Sequence, residues 1–303
     1  MNKNSILFEI GSNDGTFLKN FNKKKVYGFE PSKSVHLKAK KDGINSINKF
    51  FNSKNIKILR KLYGKVDVIF GANVFCHIPN QRDLIKSIDL MLSPNGIIIF
   101  EEPYLGSMYE KTSYDQIYDE HIYMFSINSI IKIYDLFGFE LIDAIPQNTH
   151  GGSMRYILKR KNISKKSKRV KKLTKLEKTK KIDKFSACLS FKKRVIKSRL
   201  NLRKRILNIK KKGFQICGYG ATSKSTTILN FCKINNNMIN CIFDTTKDKI
   251  GKFTPGTHIP ILNYNKFKGS HYKYVFLFAW NHRKEIMKKE KARKNTKWFT
   301  HLD

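Results

Sequence analysis

The chain has 303 residues, which is enough for two domains of ordinary size. Hydrophobic residues make up 40% of the sequence and aromatic residues 12%, so packed cores can form and global disorder is not expected. No run approaches the roughly 18 uninterrupted apolar residues of a membrane span, and the first residues lack an apolar signal-peptide core, so we expect a cytoplasmic protein with no membrane partner. The five cysteines occur singly, without a C-x-x-C pair, which argues against a disulfide framework or a zinc site.

The formal net charge of +38 is concentrated in one segment. Between Lys159 and Lys212 the sequence has 25 Lys or Arg residues against two acids, Glu177 and Asp183. Such a segment could bind nucleic acid by neutralising phosphates. A lysine-rich composition spread over solvated faces is the favoured interpretation, because no RNA-binding motif or zinc finger accompanies the charge. We therefore expect no specific nucleic-acid partner.

The first half of the chain alternates apolar runs with helical segments. Residues 6–10, 26–30, 66–70 and 96–100 are short and apolar and predict β-strands, while residues 82–92 have helical character up to a Ser-Pro-Asn-Gly turn. This alternation predicts an α/β fold with a parallel, doubly wound sheet. Runs at 141–145 and 154–158 could form the closing strands of the same sheet.

A long helix and a second α/β pattern follow. The helix is predicted to bury one apolar stripe and to carry lysines on its back. The stripe consists of Phe185, Leu189, Ile196, Leu200 and Leu207. Strand runs then appear at 214–220, 239–244 and 274–280, with a helical stretch at 222–233. We predict a Rossmann-like domain at 1–160, a basic helical connector at 161–212 and a smaller Rossmann-like domain at 213–303.

A glycine-rich turn, EIGSNDG at residues 9–15, ends the first strand and opens the first helix. Its glycines allow a sharp turn and close approach of a ligand. Glu30 ends the second strand, where an acid can accept hydrogen bonds from both ribose hydroxyls. The turn lacks the G-x-G-x-x-G that seats a dinucleotide's pyrophosphate, so a dehydrogenase is the least favoured interpretation.

S-adenosylmethionine (SAM) fits this turn better, because it has no phosphate and its sulfonium tolerates an acidic loop. The alternative is a tight structural turn with a surface acid. The expected SAM-binding residues are Gly11, Asn13, Asp14, Gly15 and Glu30.

Further motifs follow in a fixed order. They are GFEPS (28–32), GANVFCHI (71–78), EEPYL (101–105), YDQIYDEH (114–121), HGGS (150–153), GYGATSK (218–224), TPGTHIP (254–260) and FAWN (278–281). Each is weak alone, but in this order the chain resembles, over essentially its whole length, the nucleotide-sugar C-methyltransferases that make branched deoxysugars. The resemblance implies a class I methyltransferase domain followed by a second, smaller Rossmann-like domain.

The resemblance also implies catalytic residues. Methylating a sugar carbon next to a ketone needs a base, donors for the enolate oxygen and a methyl donor on the opposite face. The family's Tyr-x-Glu-His matches Tyr118, Glu120 and His121, which implies His121 as the base, Glu120 orienting its ring and Tyr118 as a second acid/base or enolate donor. Asn73 and His77 match family residues beside the substrate. They also follow the carboxyl end of a predicted parallel strand, where open α/β sheets bind ligands.

The second glycine loop, at 218–224, resembles a phosphate-binding strand–turn–helix, since N–H groups at a helix start favour an anion. Its third glycine is missing, and a degenerate Rossmann repeat kept for packing is the alternative. The family pattern implies a cradle for the diphosphate of a sugar nucleotide. His150 could hold the sugar or start a strand. The expected substrate-binding residues are His150, Gly151, Gly152, Gly218, Gly220, Lys224 and Asp244.

One departure from the family affects the functional prediction. Members usually carry an N-terminal domain with a four-cysteine zinc site, whereas only a few residues precede the first strand here, so we expect no metal. A natural short form, a fragment or one half of a complex would each explain this. We predict a SAM-dependent C-methyltransferase acting on an NDP-4-keto-deoxysugar. The alternatives are a non-catalytic sugar-nucleotide-binding partner and a methyltransferase of another acceptor such as RNA.

Overall fold

The computed structural model describes residues 5–303 and divides the chain into two units. Unit 1 comprises Met1–Gly106 and Glu120–Asp183, and unit 2 comprises Ser107–Asp119 and Lys184–Asp303. The chain therefore leaves unit 1 once and returns to it. Each unit has its own β-sheet.

Unit 1 is built on a sheet of seven strands within the described residues. The strands are β1 (Leu7–Ile10), β2 (Val26–Phe29), β3 (Ser46–Ile47), β4 (Val66–Ala72), β5 (Leu92–Pro103), β6 (Phe139–Gln147) and β7 (Ser153–Arg160). Their order is β3-β2-β1-β4-β5-β7-β6, with β7 antiparallel to both of its neighbours. This is the strand order of the class I methyltransferases, and the predicted fold class is confirmed. The sequence prediction missed β3, since two residues carry too little pattern to read.

The sheet of unit 1 is covered by helices, which explains the apolar runs. The helices are α1 (Lys33–Lys41), α2 (Ser53–Tyr63), α3 (Gln81–Met91), α4 (Leu105–Lys111), α5 (Ile127–Asp135) and α6 (Lys168–Thr179), of which α4 runs on into unit 2. Phe8 of β1 packs with Phe29 in the larger core, while its neighbour Leu7 packs with Val26 in a smaller one. Strands buried on both faces are apolar at every position, not at alternate ones.

Glu177, the one acidic residue of the lysine-rich helix α6, is buried in unit 1. Its carboxylate accepts hydrogen bonds from the Tyr104 hydroxyl at 2.8 Å and from the backbone N–H groups of Ile127 and Asn128 at 2.7 and 2.9 Å. Those two amides open α5, where unpaired N–H groups and the helix dipole favour an anion. One buried acid thus fastens a strongly basic helix to the domain.

Unit 2 has a five-stranded, fully parallel sheet among its described residues, in the order β10-β9-β8-β11-β12. Its strands are β8 (Ile216–Tyr219), β9 (Cys241–Asp244), β10 (Ile261–Asn263), β11 (Tyr274–Leu277) and β12 (Lys297–Phe299). Its helices are α7 (Phe185–Lys211), α8 (Ser223–Cys232), α9 (Tyr264–Lys268) and α10 (Arg283–Lys289). The second α/β unit that the resemblance implies is therefore present.

The predicted long helix exists as α7, but its predicted buried stripe is wrong. Phe185, Leu189, Ile196, Leu200 and Leu207 are all exposed. The core of unit 2 instead takes up a second stripe on another face of the helix. That stripe consists of Phe191, Val195, Leu202, Ile206 and Ile209, of which the first two are partly buried.

The segment Ser107–Asp119 belongs to unit 2 through specific contacts. The Arg194 guanidinium of α7 stacks 4.2 Å from the centroid of the Tyr109 ring and donates to the Tyr109 carbonyl at 2.6 Å. Tyr114 is buried in the core of unit 2, and its hydroxyl lies 3.4 Å from the Cys232 sulfur. A segment that leaves the sheet of unit 1 thus becomes part of the core of unit 2.

None of the helices among residues 5–303 combines the length and the apolar character needed to cross a membrane.

Candidate active site

The turn after β1 is held against β2 by backbone hydrogen bonds. The N–H groups of Gly11 and Ser12 both donate to the Phe29 carbonyl, at 2.9 and 3.0 Å. Gly11 has a φ of +69°, and a Cβ there would lie 2.7 Å from a methyl carbon of Val74. Gly15 has a φ of +77° and equally little room beside Ile44. Both glycines are therefore required by the backbone conformation and by packing.

Glu30 lies where β2 ends, and its carboxylate is positioned by the same turn. It accepts hydrogen bonds from the Asn13 amide at 3.1 Å and from the Ser32 amide at 2.8 Å. Glu30 is buried. Two backbone donors leave further lone pairs of the carboxylate for a ligand's hydroxyl groups.

Asp14 is engaged within the loop itself. Its carboxylate accepts from the Thr16 hydroxyl at 2.6 Å and pairs with the Lys38 ammonium at 3.0 Å. These two hydrogen bonds, that of Thr16 first, lower the pKa of Asp14 to about 2. Asp14 is therefore ionised at neutral pH, and its contacts close the loop.

Glu9 is a site residue that the sequence prediction did not include. It is buried in β1 next to the glycine turn, and one of its carboxylate oxygens has no hydrogen-bond partner among the described residues. Burial raises its pKa to about 8. A buried carboxyl without a partner is costly unless a ligand or a proton compensates it. The signal was visible in the sequence, since Glu9 is the one charged residue in an otherwise apolar strand.

One pocket of unit 1 adjoins the glycine turn. The unit 1 pocket has a volume of about 460 Å³. Its walls include Gly11, Phe29, Phe50, Val74 and His77. A largely apolar pocket of this size suits a nucleoside with a few polar anchors.

The loop after β4 is fixed by Glu102 of β5. The Glu102 carboxylate accepts from the amides of Val74 at 3.0 Å and Phe75 at 2.6 Å, and burial raises its pKa to about 7. Asn73 adopts a φ of +53°, and its side-chain oxygen is buried with no hydrogen-bond partner among the described residues. A left-handed residue with an unsatisfied amide suggests a position reserved for a ligand.

His77 and His121 lie side by side in unit 1. Their ring centroids are 5.2 Å apart and their planes are nearly perpendicular, at 88°. The Tyr123 amide donates to the Cys76 carbonyl at 3.2 Å, which brings the segment after His121 against the loop after β4. Burial lowers the pKa of His77, and the negative charge of Glu120 opposes that effect. His77 is therefore largely neutral at pH 7.

The loop from His150 to Gly152 begins β7 at the same edge of the sheet. His150 has a φ of +51° and is exposed, while both glycines are buried with positive φ. The Gly152 carbonyl accepts from the Tyr104 amide at 3.1 Å, and Ser153 pairs with Pro103 at the end of β5. Asn73 is bound to Glu101 of the same strand. Unit 1 thus brings Asn73, His77, His121 and this loop to one edge, whereas Tyr118 belongs to unit 2.

The glycine loop of unit 2 is largely satisfied by its own hydrogen bonds. The amides of Gly220, Ala221 and Thr222 donate to the Phe243 carbonyl, the Asp244 carboxylate and the Gly220 carbonyl. This leaves the Ser223 and Lys224 amides, at the start of α8, for an anion. Packing accounts for Gly218, because a Cβ there would lie 2.7 Å from the Phe278 ring.

The pocket of about 430 Å³ in unit 2 is lined in part by Gly220, Asp244, Lys249 and Lys289. It brings two of the predicted substrate-binding residues together with two lysines. The Lys249 ammonium donates to the Ala221 carbonyl at 2.8 Å, so that one lysine already supports the loop.

Lys224 lies in a buried polar cluster with residues of two other motifs. Its ammonium is 5.3 Å from the centroid of the Trp280 ring and has no hydrogen-bond partner among residues 5–303. The Trp280 indole donates to Asp115 at 2.6 Å, and the other Asp115 oxygen is 3.2 Å from His301. Burial lowers the pKa of Lys224, and the charge of Asp115 opposes this. Without the fold, this contact of YDQIYDEH, GYGATSK and FAWN could not be foreseen.

Comparison with known families decides the class of protein. The family model described as the C-methyltransferase C-terminal domain matches residues 148–302, and a methyltransferase-domain model matches residues 2–144. The chain belongs to the C-methyltransferase family. With its methyltransferase domain, this C-methyltransferase is a SAM-dependent enzyme.

A protein similar to this chain is the C-methyltransferase NovU of Streptomyces niveus. It is 26% identical over 289 residues, which cover 94% of this chain and 69% of NovU. Among solved structures, a SAM-dependent methyltransferase from Anabaena variabilis is 17% identical, with a TM-score of 0.42, over 53% of this chain and 79% of its own. The magnesium protoporphyrin IX methyltransferase of Synechocystis with bound SAM is 15% identical, with a TM-score of 0.38. The match covers 52% of this chain and 70% of that enzyme's chain.

Glu9 generates a prediction about stability. Because the folded-state pKa of about 8 lies above the ordinary value of 4.5, the folded protein binds more protons than the unfolded chain between these values. The Glu9 contribution to the free energy of unfolding is therefore complete below this window and is lost as pH rises through it. We expect wild type to lose more stability than Glu9→Gln between the two ends of the window. Urea denaturation of both proteins measures this. Glu102 titrates in both, so equal losses would contradict the assignment to Glu9.

Proposed function

We propose that this C-methyltransferase methylates a carbon next to the ketone of an NDP-4-keto-deoxysugar, with His121 as the base. The observation that carries the proposal is the pair of His121 and His77 at the sheet edge where Asn73 presents an unsatisfied amide. In the proposed reaction a neutral His121 takes the C–H proton and the ketone becomes an enolate. The enolate carbon then attacks the SAM methyl group, and S-adenosylhomocysteine leaves.

The enolate oxygen needs hydrogen-bond donors that carry no charge, so that they do not lower the proton affinity of His121. Asn73 would become such a donor by a half-turn of its side-chain amide, because the buried oxygen has no partner among the described residues that holds it in place and the amide nitrogen can donate. His77 is held largely neutral by burial, so it can donate one N–H without bringing a charge close to His121. Tyr118 as a further donor and Glu120 as the residue orienting His121 remain part of the proposal from the family motif.

SAM is assigned to the pocket of unit 1. Glu30 would accept from the two ribose hydroxyls, and Gly11 would let the backbone approach the methionine part. Asn13, Asp14 and Gly15 would shape the turn. We add Glu9 to this set, because the buried carboxylate oxygen that has no partner among residues 5–303 would be compensated by the α-ammonium of SAM.

The diphosphate of the sugar nucleotide is assigned to unit 2. The Ser223 and Lys224 amides at the start of α8, and the Lys224 ammonium, which has no hydrogen-bond partner in residues 5–303, would supply donors for phosphate oxygens. Gly220 and Asp244 line the neighbouring pocket and would contact the nucleoside side of the ligand. The loop from His150 to Gly152 would contact the sugar at the edge of unit 1.

Glu30→Ala is expected to weaken SAM binding by about 1.5–3 kcal/mol, the usual range for hydrogen bonds to a charged acceptor. Titration calorimetry measures the affinity. Asp42→Ala is a matched control, because Asp42 is an exposed acid paired with Lys19 in the same unit. A folded Glu30→Ala protein with wild-type affinity would remove SAM from this position.

His121→Ala is expected to abolish methyl transfer while leaving SAM affinity nearly unchanged. It should also abolish exchange of the substrate's C–H proton with deuterated solvent in the absence of SAM, because that exchange needs only the base. Mass spectrometry follows the exchange for a panel of NDP-4-ketosugars, with His271→Ala, an exposed histidine, as control. Exchange at the wild-type rate in His121→Ala would transfer the role to His77, His150 or Tyr118.

Lys224→Ala is expected to raise the KM for the sugar nucleotide about 10- to 150-fold, corresponding to about 1.5–3 kcal/mol for a charge-assisted contact. The KM for SAM should change much less. Steady-state kinetics are measured near physiological ionic strength, because salt then screens the charges of the many other lysines. The exposed Lys247→Ala serves as control. Equal effects on both KM values would contradict a phosphate contact.

A further inference from the structure

Three metal-binding side chains converge in unit 1. The sulfur of Cys76 and one ring nitrogen each of His77 and His121 all lie within 4.8 Å of one another. Cys76 is buried, and both histidines are partly exposed. The three residues come from two segments that the Tyr123–Cys76 backbone hydrogen bond holds together. The cluster is therefore built into the fold of unit 1.

The donor set selects one class of ion. One thiolate and two imidazoles are ligands for zinc and other borderline transition metals, whereas magnesium and calcium prefer oxygen. Zinc lies about 2.3 Å from sulfur and about 2.0–2.1 Å from nitrogen, which places tetrahedral donors about 3.3–3.7 Å apart. The present separations, none above 4.8 Å, thus have to close by at most about 1.5 Å to reach this geometry. Rotations of two partly exposed histidine side chains can supply such a change.

We propose that Cys76, His77 and His121 bind a zinc ion or a similar transition-metal ion, with the fourth coordination position open. The proposed methyl transfer does not use such an ion. A metal bound here occupies a nitrogen of His121 and so prevents it from accepting a proton. The site would therefore act as a reversible inhibitory site, and this consequence, unlike metal binding itself, rests on the proposed role of His121.

The chemistry of the sulfur ligand bears on the strength of binding. A metal is bound by the thiolate, so binding at the buried Cys76 must release the proton of the thiol to solvent. That requirement lowers the affinity, and we expect reversible rather than permanent occupancy.

Cobalt(II) is the direct probe, because cobalt bound to a thiolate gives a near-ultraviolet charge-transfer band. After metal removal, the full chain is expected to bind one cobalt ion with this band, and zinc should displace it. Cys76→Ser replaces only the sulfur by a hydroxyl oxygen, and it should lose the band and bind zinc more than about 100-fold more weakly, beyond the range seen for loss of an outer-shell partner. Cys188→Ser, which removes the exposed thiol, should keep both.

Absence of the band in wild type, its persistence in Cys76→Ser or its loss in Cys188→Ser would each overturn the site. If Cys76→Ser fails to fold, His121→Ala tests the same ligand set. It should weaken zinc binding more than about 10-fold, whereas His271→Ala should leave it unchanged. An unchanged affinity in a folded His121→Ala protein would equally overturn the site.

Inhibition is measured separately. Zinc should inhibit methyl transfer by wild type and Cys188→Ser at concentrations that leave Cys76→Ser active. A normal cobalt spectrum without zinc inhibition would support the metal site and contradict His121 as the base. The two proposals can therefore fail independently.

Discussion

The buried carboxylate of Glu102 holds the loop on which several candidate site residues depend. By accepting the Val74 and Phe75 amides, it fixes the turn that follows β4. That turn carries Asn73 in its left-handed conformation, places Val74 against Gly11, and presents Cys76 and His77. Replacing one acid at the end of β5 would loosen the cofactor turn and the histidine pair together.

Several ionisable groups are buried in both units without full compensation. Glu9 and Glu102 have raised pKa values, and Lys224 has a lowered one, in each case because burial disfavours the charged form. Ionisable groups with such strongly shifted pKa values destabilise the fold unless a ligand or a partner compensates them. They concentrate at functional sites. In this enzyme they lie at the ends of parallel strands or at the start of a helix, where α/β folds bind ligands.

The strong positive charge is largely accommodated on helices. With 61 Lys and Arg residues against 23 acids, few partners of opposite sign exist, and most lysines extend into solvent. The acid of α6 is used inside unit 1, where Glu177 caps α5. Charge composition therefore shapes the surface, while a small number of buried acids fix the elements.

Much of the fold could be read directly from the sequence. Strands covered on both faces are apolar throughout, and turns between them carry glycine for conformational reasons, so β1, β2, β4 to β9 and β11 were all predicted. Asn73 and His77 follow the end of β4, as the sequence predicted. His121 reaches His77 by another route, because the chain re-enters unit 1 at Glu120 and the Tyr123 amide binds the Cys76 carbonyl. Glu9 stands out in the sequence as the one acid of an apolar strand, but only the fold shows that one of its buried oxygens has no partner among the described residues.

The face of α7 illustrates what the sequence left open. Phe185, Leu189, Ile196 and Leu200 repeat at spacings of four, seven and four, and Phe191, Val195, Leu202 and Ile206 repeat at the same spacings six residues later. Periodicity makes the two stripes equivalent, and only packing against the core of unit 2 selected the second. In the same way, the placement of Ser107–Asp119 in unit 2 depends on contacts of Tyr114 and Arg194 with residues distant in sequence. The sequence determined the helices, the strands and the chemistry of their residues, because these follow from local pattern. The tertiary structure decided which faces meet, because that depends on surfaces that only folding brings together.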